Sequence, residues 1–125
     1  MSRLFTPVEA NRTLPLVKRI VADIVDRGRE LRELGARRTE TGVAERVREI
    51  EIELRDLLRE LDRIGCSFKD FAFEKGLVDF PARIDGEDVL LCWRSDEGAV
   101  THYHGREEGY DGRRPIPEEL LEPEG

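Results

Sequence analysis

The sequence predicts an α+β fold: a long N-terminal helical hairpin packed on one face of a small antiparallel three-stranded meander, with an extended C-terminal arm. Three observations carry this expectation. Apolar residues recur at helical spacing through the first half of the chain, and period-two alternation takes over after Gly76. An Asp85-Gly86 dipeptide sits between two of the alternating runs. At 125 residues the chain reads as a single domain, with residues 1–65 helical, 66–104 a small sheet and 105–125 a loop-rich arm.

The helical part opens at Thr6-Pro7-Val8-Glu9, a capping box with proline at the first helical position. Pro15 follows closely and steers Leu14 away from the α region. The spacing therefore predicts a short helix over Pro7–Arg12, a kink or restart near Thr13–Pro15, and a second run to about Leu34. In that run Val17, Ile20, Val21, Ile24, Leu31 and Leu34 form one apolar stripe, and Gly35 is its expected C-cap. Residues 37–42 (RRTETG) are a polar connector; a tight turn here makes an antiparallel hairpin. Val43, Val47, Ile50, Leu54, Leu57, Leu61 and Ile64 then repeat at alternating four- and three-residue steps, a heptad seam that Gly65 terminates. Ile52 and Leu58 widen its apolar face, which fits either a hairpin core or a helical dimer interface.

Cys66–Phe73 reads as a short strand or an extended segment, and Glu74-Lys75-Gly76 as a turn. Val78, Phe80, Ala82 and Ile84 alternate with polar residues, and Pro81 marks the strand as an edge. A type I′ turn at Asp85-Gly86 fixes the register: Arg83 opposite Asp88, Ala82 opposite Val89, Phe80 opposite Leu91, Val78 opposite Trp93, and Asp79 opposite Cys92. The next turn is expected to be a three-residue loop, Asp96–Gly98, with Gly98 left-handed. Leu91 then faces Tyr103, Cys92 faces His102 and Leu90 faces His104; an even-length loop would send both histidines to the core face. Residues 105–125 form the arm, with a short helical turn expected at Glu118–Leu121 and a frayed end.

Charged residues make up 39% of the chain and hydrophobic ones 38%, and no apolar run approaches the ~20 residues of a membrane span. The N-terminus lacks the basic-then-apolar pattern of a signal peptide, so a cytoplasmic location is expected. Two cysteines, Cys66 and Cys92, are too few for a disulfide framework and are expected to be reduced and partly buried. A net charge of −7, with Arg interleaved among Glu and Asp, argues against a nucleic-acid surface. The chain has no Gln, one Asn and one Met, a composition that fits a thermophilic source or a GC-rich genome.

Glu9-Ala10-Asn11 with Leu14-Pro15, Lys69-Asp70, Gly76-Leu77-Val78-Asp79-Phe80-Pro81, Leu91-Cys92-Trp93, Glu97, His104, Gly109-Tyr110, Gly112-Arg113 and Pro115-Ile116 together resemble one uncharacterised bacterial family. It is known as domain of unknown function 2203. The resemblance spans nearly the whole chain and implies no activity, substrate or cofactor.

Two chemistries fit the meander. Asp79, Cys92, His102 and His104 offer O, S and N donors from one face, a mixture suited to zinc or a similar divalent ion, although no established zinc spacing is present. Cys92 beside His102 and Asp79 also has the parts of a thiol–imidazole–carboxylate nucleophile. A flat row across a sheet, however, lacks a pocket and oxyanion donors. Lys69, Asp70, Glu97 and Arg113 fit structural pins, with an Asp79–Arg113 or Glu97–Arg113 pair fastening the arm across the sheet. Trp93, Tyr103 and Tyr110 fit core or arm packing. The expected role is an interaction or assembly module that forms a homodimer through its heptad helix. The alternative is a metal-binding protein or metalloenzyme built on Asp79, Cys92, His102 and His104.

Overall fold

The computed structural model describes residues 3–123; Met1, Ser2, Glu124 and Gly125, the last two in the stretch expected to fray, lie outside the described residues. Helix α1 runs unbroken over Pro7–Gly35, and the capping box forms as read, with the Thr6 hydroxyl accepting from the Glu9 amide and the Glu9 carboxylate from the Thr6 amide. Pro15 therefore does not divide the helix. A proline inside a helix costs about 3 kcal/mol. Fully burying a side chain such as Leu14 or Val17 returns about 1.5–3 kcal/mol each, and both are buried on the same stripe as Ala10 and Ile20. The proline ring itself faces solvent. The helix ends with Gly35 as its last residue and Ala36 as the cap, one position later than expected.

The connector is a tight turn, braced by Arg37 donating to Glu40 at 2.8 Å. Helix α2, Val43–Ile64, returns antiparallel to α1 and stops at left-handed Gly65. Arg46 reaches back to Glu30 at 2.7 Å and Arg27 to Glu53 at 3.7 Å, stitching the hairpin along its exposed side. Of the heptad seam, Val43, Ile50, Leu54 and Leu61 are buried within this one chain. Val47, Leu57 and Ile64 are half-buried.

The sheet has five antiparallel strands, two more than the sequence predicts: β1 Ser67–Phe68, β2 Leu77–Ile84, β3 Glu87–Arg94, β4 His102–Gly105 and β5 Arg114–Pro115, in that spatial order. Of the two beyond the meander, β1 lies in the segment read as a short strand or an extended stretch, and β5 in the expected arm; each is two residues long. Strand β2 is flanked by β1 only at Val78 and Asp79. Beyond that contact it behaves as an edge, and Pro81, which has no amide to donate, accepts from the Phe5 amide at 2.7 Å.

Asp85 (φ 52°) and Gly86 (φ 81°) both lie in the left-handed region that a type I′ turn requires, and the β2–β3 register is the one the turn dictates. Between β3 and β4 the register also matches: Leu91 pairs with Tyr103, Cys92 with His102, and Leu90 with His104. The turn itself is different. The strands separate over residues 95–101, and Gly98 is not left-handed. The wider loop is held from inside, with the Trp93 indole donating to the Glu97 carbonyl at 2.9 Å and the Glu97 carboxylate accepting from the Arg94 amide at 2.7 Å.

The helical hairpin covers the face of the sheet that carries Phe68, Val78, Phe80, Leu91 and Trp93, and together they form the core. Asn11 ties α1 to the β3–β4 loop: its Nδ2 donates to the Val100 carbonyl and its Oδ1 accepts from the Val100 amide, at 3.0 and 2.8 Å. Gly28 and Gly76 let α1 approach the 70–76 loop, since a Cβ there would lie 2.1 Å from the Phe73 ring and 2.2 Å from Val21. The arm ends in a short helix, α3, at Glu118–Leu121, as expected. Among the described residues no helix is long and apolar enough to cross a membrane.

Candidate metal centre

The face of the sheet turned away from the helices carries Asp79 on β2, Cys92 on β3 and His104 on β4. One ligand atom from each lies within 4.8 Å of the other two. All three side chains are buried, at 5%, 2% and 4% exposure. Their meeting is a matter of shape. Strands β2 and β4 flank β3, with backbones roughly 9.5 Å apart, and the short Cys92 side chain leaves space above β3 into which Asp79 and His104 lean. His104 Nε2 comes to 3.3 Å from Asp79 Oδ1.

The other nitrogen of His104 decides how this contact is read. Nδ1 lies 2.8 Å from the Gly105 carbonyl oxygen, which can only accept, so Nδ1 carries the proton. In the neutral ring Nε2 then presents its lone pair to a carboxylate. Two bare acceptors at 3.3 Å repel unless a proton or a cation lies between them. An imidazole whose far nitrogen is tied to a backbone carbonyl is the usual arrangement behind a metal-bound histidine.

Around a tetrahedral zinc with bonds of ~2.0–2.3 Å, donor atoms lie roughly 3.3–3.8 Å apart. With ligand atoms within 4.8 Å of one another, the set needs to contract by at most about 1.5 Å to meet that geometry. Sulfur, nitrogen and oxygen donors together suit a borderline divalent ion. Burial pushes the Cys92 thiol up to about 12; the neighbouring Asp79 carboxylate adds to the rise and Arg113 opposes it. Without a cation the site holds a neutral thiol. A bound divalent ion is the charge able to deprotonate it.

His102 stands apart from this group. It pairs with Cys92 along the backbone, but its side chain is half-buried and its Nδ1 lies 2.9 Å from the Thr101 hydroxyl. The arrangement also offers little to thiol nucleophilic chemistry, since the Cys92 thiol is held in its protonated form.

The pins fall into two groups. Arg113 donates to both Glu97 oxygens, at 2.7 and 2.8 Å, and to the Cys92 carbonyl at 3.1 Å, so the Glu97–Arg113 pair forms, while Asp79 pairs with His104 instead. Asp70 accepts from the Ala72 and Lys75 amides and holds the 70–75 turn together. Tyr110 lies under Arg113 with the guanidinium 4.8 Å from its ring centre. Lys69 takes no part in an ion pair or side-chain hydrogen bond among the described residues. With Tyr110, Arg106, Glu108, Leu77 and Leu90 it walls a cleft of about 250 Å³ that opens over Asp79, Cys92 and His104. Arg106 and Glu108 carry no separate signal of their own, because the loop that brings them here has no periodic pattern.

A family model described as uncharacterized conserved protein (DUF2203) matches residues 3–116. The chain belongs to the DUF2203 family. No curated protein and no solved structure matches it. In this DUF2203 chain, Lys69, Asp79, Cys92, His104 and Tyr110, motif residues from five separate stretches of sequence, all line the one cleft.

Proposed function

We propose that this DUF2203 protein binds a divalent ion of the zinc class through Asp79, Cys92 and His104. The observation that carries the reading is the His104 ring: Nδ1 committed to the Gly105 carbonyl and Nε2 turned to the Asp79 carboxylate, beside the Cys92 sulfur. With Asp79, Cys92 and His104 as its only protein donors, a tetrahedral ion would have one position left for an exogenous ligand, as in zinc sites that are not purely structural. A metal held there supplies a Lewis acid at the cleft floor. The residues contribute the rest: Asp79 and Cys92 bring the negative charge, and the Gly105 carbonyl orients His104.

Elemental analysis of protein purified without an affinity tag, followed by zinc titration, tests this. One ion per chain is expected, lost in Cys92→Ala and His104→Ala and retained in His102→Ala. Folded wild-type protein that takes up no zinc would sink the reading.

A second reading, self-association, is favoured by one observation. Ile52 is 44% exposed and Phe71 61%, and Phe71 borders an apolar cleft of about 550 Å³ between α2 and β1. Because Val43, Ile50, Leu54 and Leu61 of the heptad seam are buried inside the chain, an interface would draw on this flank. Light scattering on wild type and Ile52→Glu discriminates: a dimer made monomeric by the substitution supports it, and a monomeric wild type removes it.

A further inference from the structure

We infer that the cleft above the proposed metal centre takes a small molecule bearing a carboxylate or phosphate group, held between Lys69, Arg106 and the metal's open coordination position. The inference rests on the metal reading.

The charges around the cleft carry it. Both acidic groups that face it are already engaged: Asp79 with His104, and Glu108 with the Gly105 amide at 2.8 Å and Arg114 at 3.0 Å. The loop is built around that Glu108 carboxylate, for a Cβ at Gly105 or Gly112 would lie 2.7 or 2.8 Å from Glu108 atoms. Glu108 is therefore held by the loop that carries it rather than offered to a ligand.

The cations are in the opposite state. Lys69 has no carboxylate partner among the described residues. Arg106 is 68% exposed and has only a 3.7 Å contact with Asp88. Lys69 and Arg106 thus put two cations at one mouth, in a chain of net charge −7.

A divalent ion balanced by the Asp79 carboxylate and the Cys92 thiolate adds no net charge of its own, so the rim sets the sign, and it is positive. Leu77 and Leu90 provide apolar walls between the rim and the cleft floor. The volume, about 250 Å³, lies at or below the lower end of small-molecule sites, which suits a metabolite-sized ligand and not a polymer. Backbone pairing fixes Lys69 at the rim, since its amide donates to the Leu77 carbonyl at 2.7 Å.

The test uses the full chain loaded with Co²⁺, whose visible absorption reports the ligands on the metal. Inorganic phosphate and acetate are titrated separately at constant ionic strength. One or both are expected to change the spectrum in the millimolar range, and which of them does so distinguishes a phosphate from a carboxylate ligand. In Lys69→Gln/Arg106→Gln the cobalt stoichiometry should be unchanged, with anion affinity lower by about tenfold or more. Cobalt that binds with a spectrum indifferent to both anions overturns the inference and leaves the metal centre standing. So does an anion response undiminished in the double variant. Failure of Co²⁺ to bind at all overturns both.

Discussion

Cys92 shows how one side chain's surroundings set its chemistry. Buried under the arm and beside a carboxylate, its thiol is pushed up to about 12 from an ordinary 9.0, so at neutral pH it keeps its proton. Binding a divalent ion must release that proton. Zinc affinity is therefore expected to rise by about tenfold per pH unit between pH 6 and 8, apart from any contribution of His104, with about one proton released per ion from the thiol. Calorimetry in buffers of different ionisation heat checks this, and binding without proton release would rule out the thiol as a ligand. Strand alternation alone did not separate His104 from His102. Cys92 and His102 face each other in the ladder, which is what alternation reports, whereas the His104 contact is diagonal and spans two strands. Sheet twist and the small size of Cys92 create that contact, and neither is encoded in a period-two pattern.

At the scale of elements, the junctions matter as much as the strands and helices. The Asn11 side chain makes a two-bond clamp on Val100, replacing the strand partner that the wide β3–β4 loop lacks. Asn11→Ala is expected to cost about 1–3 kcal/mol, because it strands the Val100 amide and carbonyl near the core. Urea unfolding checks this, and a loss below ~0.5 kcal/mol would show that the loop is held by something else. Much at this scale was legible. The Asp85-Gly86 turn determined the β2–β3 register, and the in–out pattern of Leu91, Trp93 and Tyr103 determined the parity of the next turn. Two features were not. Pro15 lowers the local preference for helix, but the preference is overridden by a buried stripe that continues on both sides of it. The width of the 95–101 loop depends on Glu97 and Asn11 bonding backbone groups, and only the first of these is nearby in sequence.

For the whole molecule, the arm is the piece that turns an open sheet face into a cleft. It is fastened chiefly by Arg113, which is 11% exposed and bonds Glu97 and the Cys92 carbonyl. Arg113→Met should leave the Glu97 carboxylate half-buried and unpaired, at a cost of about 1.5–3 kcal/mol. Faster hydrogen exchange is expected at the Gly112 and Ile116 amides, with exchange in α1 and α2 little changed. Exchange that rises equally everywhere would mean that the arm is part of the cooperative core and not a separate cover. The helical first half and the antiparallel sheet were legible from periodicity, but the expected arm also adds β5 to the sheet. The Glu97–Arg113 pair that fastens the arm was one of two pairings expected, whereas the cleft it closes over Asp79, Cys92 and His104 was not, because Arg106 and Glu108 lie in a loop without a periodic pattern.

The three proposed ligands sit on three consecutive strands, one each, and side chains on a strand alternate between its two faces. Sliding either ladder by a single residue would carry one donor through the sheet to the helix side. An ion bound by all three is thus compatible with only one alignment of the meander. Because the donors are separated by loops of about a dozen residues, bringing them together costs little chain entropy. The ion would act as a proofreader of strand alignment, rewarding the correct pairing before the helices have to enforce it.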